Sequence, residues 1–179
     1  PIFNSSLLEN DQIVLKNYIN VGIAVDTEDG LVVPVIHGAE KLSLEEISLK
    51  IKELAEKARN KKLLNTDLKN RTITISSLGK LGGVGFTPII NPPDVAIISM
   101  SKTFKRLVLA EELDIMPIAM SYDHRIINGA DAGRFMVYLK DILDTGQLAA
   151  GKYVKMFEDN WSKINNCKFG IAVSSGGAA

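Results

Sequence analysis

The sequence predicts an α+β fold, and three observations carry that prediction. Several short runs rich in β-branched residues have strand length, and two stretches carry apolar residues at helical spacing. The two helical stretches stand far apart, with strand runs before and between them. That order suits helices layered on a mostly antiparallel sheet better than strict strand–helix alternation.

The elements follow in order. YINVGIAV (18–25) and LVVPVIH (31–37) are apolar runs joined by DTEDG, whose Asp29-Gly30 pair signals a hairpin turn. Pro34 marks the second run as irregular or at an edge, because proline has no N–H for a ladder. Ser43 stands three residues before Glu46, the spacing of a capping box. Beyond it Leu44, Ile47, Ile51, Leu54 and Ala58 fall on one side of a helix, with Glu45, Lys50, Lys52, Glu53 and Lys57 on the other. The helix is expected to end at Asn65-Thr66-Asp67, and Arg59, Lys61 and Lys62 complement the negative end of its dipole.

RTITISSL (71–78) alternates with period two and predicts a strand. The loop GKLGGVGFTPIINPP (79–93) follows; its glycines allow tight turns or close approach of backbone. It has neither a GK[ST] ending nor a G-x-G-x-x-G pattern, so it is not read as a phosphate loop. DVAIISMS (94–101) predicts a buried strand, and KRLVLAEEL and IMPIAMSY predict one more each. GADAGRFMVYLKDILDTG closes the pattern as a helix whose apolar face carries Ala132, Phe135, Met136, Leu139, Ile142 and Leu143. After Gly146 the character changes, with a further helix expected over 152–164 and a strand over 167–175.

Composition bounds the function. Lys and Arg number 21, as do Asp and Glu, so no basic field favours nucleic acid or an anionic membrane. One cysteine, Cys167, leaves no internal disulfide and no cysteine-based zinc cluster, which suits a reducing compartment. No apolar run reaches the ~18 residues of a membrane-spanning helix. The opening PIFNSSLLEND has no signal-peptide pattern and no initial Met, so sequence upstream of it is expected.

Only two histidines occur. His37 ends an apolar strand, and the plain reading is a solvated strand-end residue. His124 sits in SYDHRIINGADAG, just after an apolar strand and just before a helix. A side chain at such a transition can face a cleft while the strand holds it still, though a structural role fits the spacing equally well. Asp123 and Arg125 flank it and can pair to lock the loop. Asn128 could orient a neighbour, or could serve as the turn residue of an Asn-Gly pair. Ser76 and Ser77 end the strand ITISS on opposite faces, so at most one can serve a given site.

VGIAVDTEDGLVVPVIHGAEKLSLEEIS, TISSLGKLGGVGFTPIINPPDVAIISMSK and PIAMSYDHRIINGADAGRFMVYLKDIL resemble three blocks of one family, in the right order. It is the catalytic domain of the dihydrolipoamide acyltransferase (E2) component of 2-oxo acid dehydrogenase complexes, with the pyruvate dehydrogenase type most similar. The resemblance covers residues 1–146, and its last block carries the family's D-H-R-x-x-[DN]-G signature. It implies a chloramphenicol acetyltransferase-like two-layer sandwich, a mixed sheet covered by helices, without the N-terminal part of that domain. It also implies transfer of an acyl group, acetyl in the pyruvate type, between dihydrolipoamide and coenzyme A. His124 would be the general base for the attacking thiol, and Ser76 the hydroxyl that donates to the tetrahedral oxyanion. Asn128 stands where many relatives carry aspartate, and would order the site by hydrogen bonding without charge.

Further expectations come with the family. Coenzyme A enters as a substrate, and the lipoyl group rides on a separate domain outside this chain. The partners implied are a homotrimer that builds a larger core, in which one subunit's histidine meets its neighbour's serine, and the E1 and E3 components. The setting implied is the cytoplasm in a bacterium or the mitochondrial matrix in a eukaryote. A non-catalytic assembly module of the same fold is the alternative. Residues 147–179 depart from the family as an extension or fusion fragment. From residue 151 they resemble the start of a DegT-type pyridoxal-phosphate sugar aminotransferase, with AVSSGGAA (172–179) carrying Gly177 where that pattern has threonine. No Schiff-base lysine region follows, so no pyridoxal-phosphate chemistry is implied.

Overall fold

The computed structural model describes residues 1–79, 83–108 and 111–145. The chain forms two compact units, Pro1–Ala132 and Gly133–Ala179. In the first unit a hairpin of β1 (Ser5–Leu7) and β2 (Ile13–Leu15) leads into β3 (Val21–Ile23). A second ribbon, β4 (Val25–Thr27) with β5 (Gly30–Val32), precedes the short β6 (Val35–Ile36). Helix α1 (Leu44–Arg59) and strands β7 (Ile73–Ser77) and β8 (Ala96–Met100) follow. A third ribbon of β9 (Phe104–Val108) and β10 (Glu111–Ile115) leads to β11 (Ile118–Tyr122) and then α2 (Gly129–Asp144).

Five of these strands form one mixed sheet in the order β11-β8-β7-β3-β6. Its centre is parallel, β3 with β7 and β7 with β8, while both outer pairs are antiparallel. The parallel step from β3 to β7 needs a crossover, and α1 lies within it. β8, flanked on both sides, is buried from Ala96 to Ser99 and apolar but for Ser99, close to what a strand covered on both faces should be.

Register assigns the side chains to faces. Ile73 on β7, Ala96 on β8 and Met120 and Tyr122 on β11 share one face, where they pack with Val95, Ile127 and Ala132 from the start of α2, and with Ile2 and Phe3. The other face carries Thr74 and Ser76 on β7, Ile97 and Ser99 on β8, and Ala119 and Ser121 on β11. This second face is unusually rich in hydroxyls, and the candidate site lies on it. On β3, Gly22 leaves room for the Arg71 stem: a Cβ there would sit 2.3 Å from Arg71 Cδ and 2.9 Å from Val33 Cγ1.

The α+β class and the mixed sheet covered by helices are as expected. The Ser43 capping box is complete, with Glu46 N–H donating to Ser43 Oγ and Ser43 N–H to Glu46 Oε2. The hairpin at Asp29-Gly30 also forms, but Glu28 and Asp29 span the turn and Gly30 pairs with Thr27 at a φ of +113°. Pro34 interrupts the second run as anticipated, and β6 beyond it is an edge strand.

Three expectations are corrected. Helix α1 ends at Arg59, not at Asn65-Thr66-Asp67; Lys61 takes a positive φ and Asn65–Leu68 form a separate 3-10 turn. Of the predicted apolar face of α1 only Leu54 and Ala58 are buried, where the helix meets β4 and β6. KRLVLAEEL is not one strand: its first four residues belong to β9 and its last three to β10. Both strands are largely exposed, so neither has an apolar face to reveal the break; Lys105 reaches Glu112 across the ribbon at 2.7 Å. In the second unit, the described part of α2 carries a Lys140–Asp144 pair one turn apart. The helix expected over 152–164 and the strand over 167–175 lie outside the described residues.

Candidate active site

Ser76 lines a cleft of about 440 Å³ on the hydroxyl-rich face. Apolar side chains dominate its walls, among them Val33, Phe86, Ile90 and Ile97. The wall from Phe86 to Asn91 is tied down by the face it covers. Ser99 Oγ donates to the Phe86 carbonyl at 3.0 Å, and Ser121 Oγ to the Pro88 carbonyl at 2.6 Å. Thr74 Oγ1 donates to Asp94 Oδ2 at 2.5 Å. Three of the four hydroxyls on this face are therefore committed. That of Ser76 bonds to no described residue; Thr74 also lines the cleft, but its hydroxyl is spent on Asp94. Ser77, one residue on, takes the Gly79 N–H on its hydroxyl at 3.2 Å and does not line the cleft. Strand alternation puts the two serines on opposite faces, and of the two it is Ser76 that lines the cleft.

His124 lies in the turn after β11. Asp123 starts that turn: its N–H donates to the Val95 carbonyl, and its own carbonyl accepts from Ile126 and Ile127. Ile127, fully buried, anchors the turn in the core. Asp123 and Arg125 pair with each other, Arg125 Nη2 to Asp123 Oδ2 at 2.6 Å, and neither bonds to the histidine. The Arg125 guanidinium holds the Asp123 carboxyl below the usual carboxylate range, so it stays an anion at neutral pH. The imidazole is exposed and tilts against Tyr122, with ring centroids 5.6 Å apart. Its environment is a firm loop with an open ring, and its ring nitrogens bond to no described residue.

Asn128 is the N-cap of α2. Asp131 N–H donates to Asn128 Oδ1 at 2.8 Å, and Ala132 N–H to the Asn128 carbonyl at 3.0 Å. The side chain therefore fixes the helix start four residues from His124 and does not touch the imidazole. Replacing Asn128 by alanine should cost about 1 kcal/mol, read as a fall of roughly 2–4 °C in thermal midpoint. Aspartate, which caps equally well, should preserve the midpoint. His37 is accounted for without chemistry, its Nε2 lying 3.0 Å from the Thr66 carbonyl.

Ser76 and His124 are not brought together. Ser76 stands in register with Ser99 and, through it, with Ala119 near the start of β11. His124 follows five residues later, beyond the other end of that strand, which puts the two about 15 Å apart along the strand direction. His124 is also absent from the cleft lining. One feature escaped the sequence altogether. Arg71 and Asp94, each buried, form an ion pair at 2.8 Å beneath the cleft wall. The two are far apart in sequence, and nothing local marks either as paired. Among the described residues no group of His, Cys, Asp and Glu could hold a metal ion.

The chain is similar to known proteins over most of its length. The family model described as 2-oxoacid dehydrogenases acyltransferase (catalytic domain) matches residues 1–150. The dihydrolipoyllysine-residue acetyltransferase component of pyruvate dehydrogenase complex from Pseudomonas aeruginosa is 45% identical over 148 residues, covering 80% of this chain. That match is 27% of the relative, so the chain spans about a quarter of its length. Among solved structures, Azotobacter vinelandii dihydrolipoamide acetyltransferase superposes with a TM-score of 0.79 at 44% identity, over 83% of this chain and 63% of that one. Its structure addressed the role of a serine, a histidine and an asparagine in the catalytic mechanism, the asparagine four positions after the histidine, as Asn128 follows His124. The cubic core of the pyruvate dehydrogenase multienzyme complex matches equally, with a TM-score of 0.79 at 45% identity, again covering 83% of this chain and 63% of that one. A chloramphenicol acetyltransferase, 18% identical with a TM-score of 0.54 over 80% of this chain and 70% of its own, shares the fold. With its family model matched across residues 1–150 and its sheet shared with these structures, the chain belongs to the 2-oxoacid dehydrogenase acyltransferases, within their catalytic domain.

Proposed function

We propose that the protein containing this chain transfers an acetyl group between dihydrolipoamide and coenzyme A, with His124 as general base and Ser76 as oxyanion donor. The observation that carries the reading is the Ser76 hydroxyl, unengaged in an apolar cleft while its neighbours on the same face are committed. A free thiol near pKa 8.5 is mostly protonated at neutral pH and needs a base. His124 accepts the thiol proton as the sulfur attacks the thioester carbonyl. The carbonyl oxygen becomes an oxyanion and takes a hydrogen bond from Ser76 Oγ. Collapse re-forms the carbonyl, breaks the bond to the original sulfur, and returns the proton from the imidazolium to the departing thiolate. Nothing is oxidised or reduced. Ser76 is a donor and not a nucleophile, since no described base lies against it.

The register of Ser76 and His124 implies that a second copy completes each site. A homotrimer, joined to others in a larger core beside the E1 and E3 components, fits that requirement; similarity to a cubic core supports the multimeric part of this reading. Coenzyme A and a lipoyl group carried on another domain are the substrates this reading needs. Asn128 serves the site by capping α2 and so fixing the loop that carries the base.

The test is direct. Full-length protein incubated with acetyl-CoA and dihydrolipoamide should release coenzyme A thiol and accumulate acetyl-dihydrolipoamide. Absence of transfer by a correctly assembled protein would leave the assembly-module alternative in its place. Light scattering should give a trimer or a multiple of it, and an active monomer would overturn the shared site.

A further inference from the structure

We propose that Thr74, acting through the buried Arg71–Asp94 pair, is a positioning residue that holds the Ser76 strand against the wall of its own cleft. The inference rests on the acyl-transfer reading above. Thr74 and Ser76 project from the same face of β7, two residues apart. Asp94 Oδ2 accepts both the Thr74 hydroxyl at 2.5 Å and Arg71 Nε at 2.8 Å. Arg71 Nη2 then donates to the carbonyls of Asn91, at 3.0 Å, and Pro92, at 3.2 Å. Asn91 lines the cleft beside Ile89 and Ile90, so one unbroken chain of hydrogen bonds joins the strand that presents Ser76 to the wall that faces it.

The arrangement has a weak point that assigns the role to Thr74. Asp94 is buried, yet its Oδ1 makes no hydrogen bond with any described residue. Both bonds to the carboxylate fall on one oxygen, and the Thr74 hydroxyl supplies one of them. Without it the carboxylate keeps only Arg71 and can turn to exchange its oxygens, carrying the guanidinium and its carbonyl partners along. The ion pair itself would survive, so the effect should appear in geometry before it appears in folding. Small misplacements of a catalytic group cost rate steeply, about a hundredfold for 1 Å.

Full-length Thr74→Val, which keeps the side-chain shape, should lose about tenfold in kcat while KM for coenzyme A stays within about twofold of the parent. Thr74→Ser, which restores the hydroxyl, should recover most of the lost kcat. A kcat for Thr74→Val within twofold of the parent, or a Thr74→Ser protein as slow as Thr74→Val, would overturn the proposal. Amide hydrogen exchange reads the same tether without activity: Thr74→Val should speed exchange across 73–77 and 89–92 while α1 is unchanged. Should the parent protein transfer no acyl group, the acyl-transfer reading fails by itself. Unaltered exchange in Thr74→Val would then separately refute the tether.

Discussion

Replacing His124 by alanine is expected to lower kcat for acetyl transfer by about 10²–10⁴-fold, the range for a lost general base. KM should change little, because the exposed ring adds small binding area. The residual rate has its own signature. Without the base, reaction must wait for thiolate formed in solution, so log kcat should climb with pH up to the pKa of the substrate thiol. The loss should therefore shrink as pH rises. Steady-state assays of acetyl-dihydrolipoamide formation between pH 6 and 9 would show this, and a His124→Ala protein with parental kcat at neutral pH would sink the mechanism.

The second large effect concerns Ser76. Alanine there removes the one uncommitted hydroxyl of the cleft and should cost about 10²–10³-fold in kcat, typical of a single oxyanion donor. Ser77→Ala should stay within about twofold, since that hydroxyl faces away and only closes a turn with Gly79. Mass spectrometry after quenching should find no acyl group on the protein, because a donor forms no ester. Equal losses for the two serines, or an acylated Ser76, would contradict the assignment. The two variants also test the shared site. In a trimer assembled from a mixture of Ser76→Ala and His124→Ala chains, one interface joins an intact histidine to an intact serine. Coexpression should thus restore about a third of the parental sites per mixed trimer, whereas a site within one chain would gain nothing.

How far the sequence disclosed this arrangement depended on how local each signal was. The start of α1 was legible because a capping box lies within four residues, while its end was not, since a charged run continues past the backbone break at Lys61. Strand alternation narrowed the serines to one per face but could not say which face held a cleft; that depended on the Phe86–Asn91 segment folding over it. His124 could be singled out only by resemblance, because a histidine between two charges looks the same whether those charges serve it or each other. In the structure they serve each other. Asn128 had been open between orienting a neighbour and making a turn, and its hydrogen bond to Asp131 makes it a cap. The Arg71–Asp94 pair left no trace in the sequence, since its partners meet only once β7 and β8 lie side by side.

The sheet register that parts Ser76 from His124 also bears on when activity can begin. A newly made chain would hold the base of one site and the donor of another, with neither half able to work. Acetyl-CoA meeting such a chain would find no means of being turned over. Premature breakdown of activated acyl groups would then be prevented by topology, without an inhibitor or a lid. Catalytic competence and quaternary assembly would become one event, so diluting the complex to dissociation should silence it reversibly.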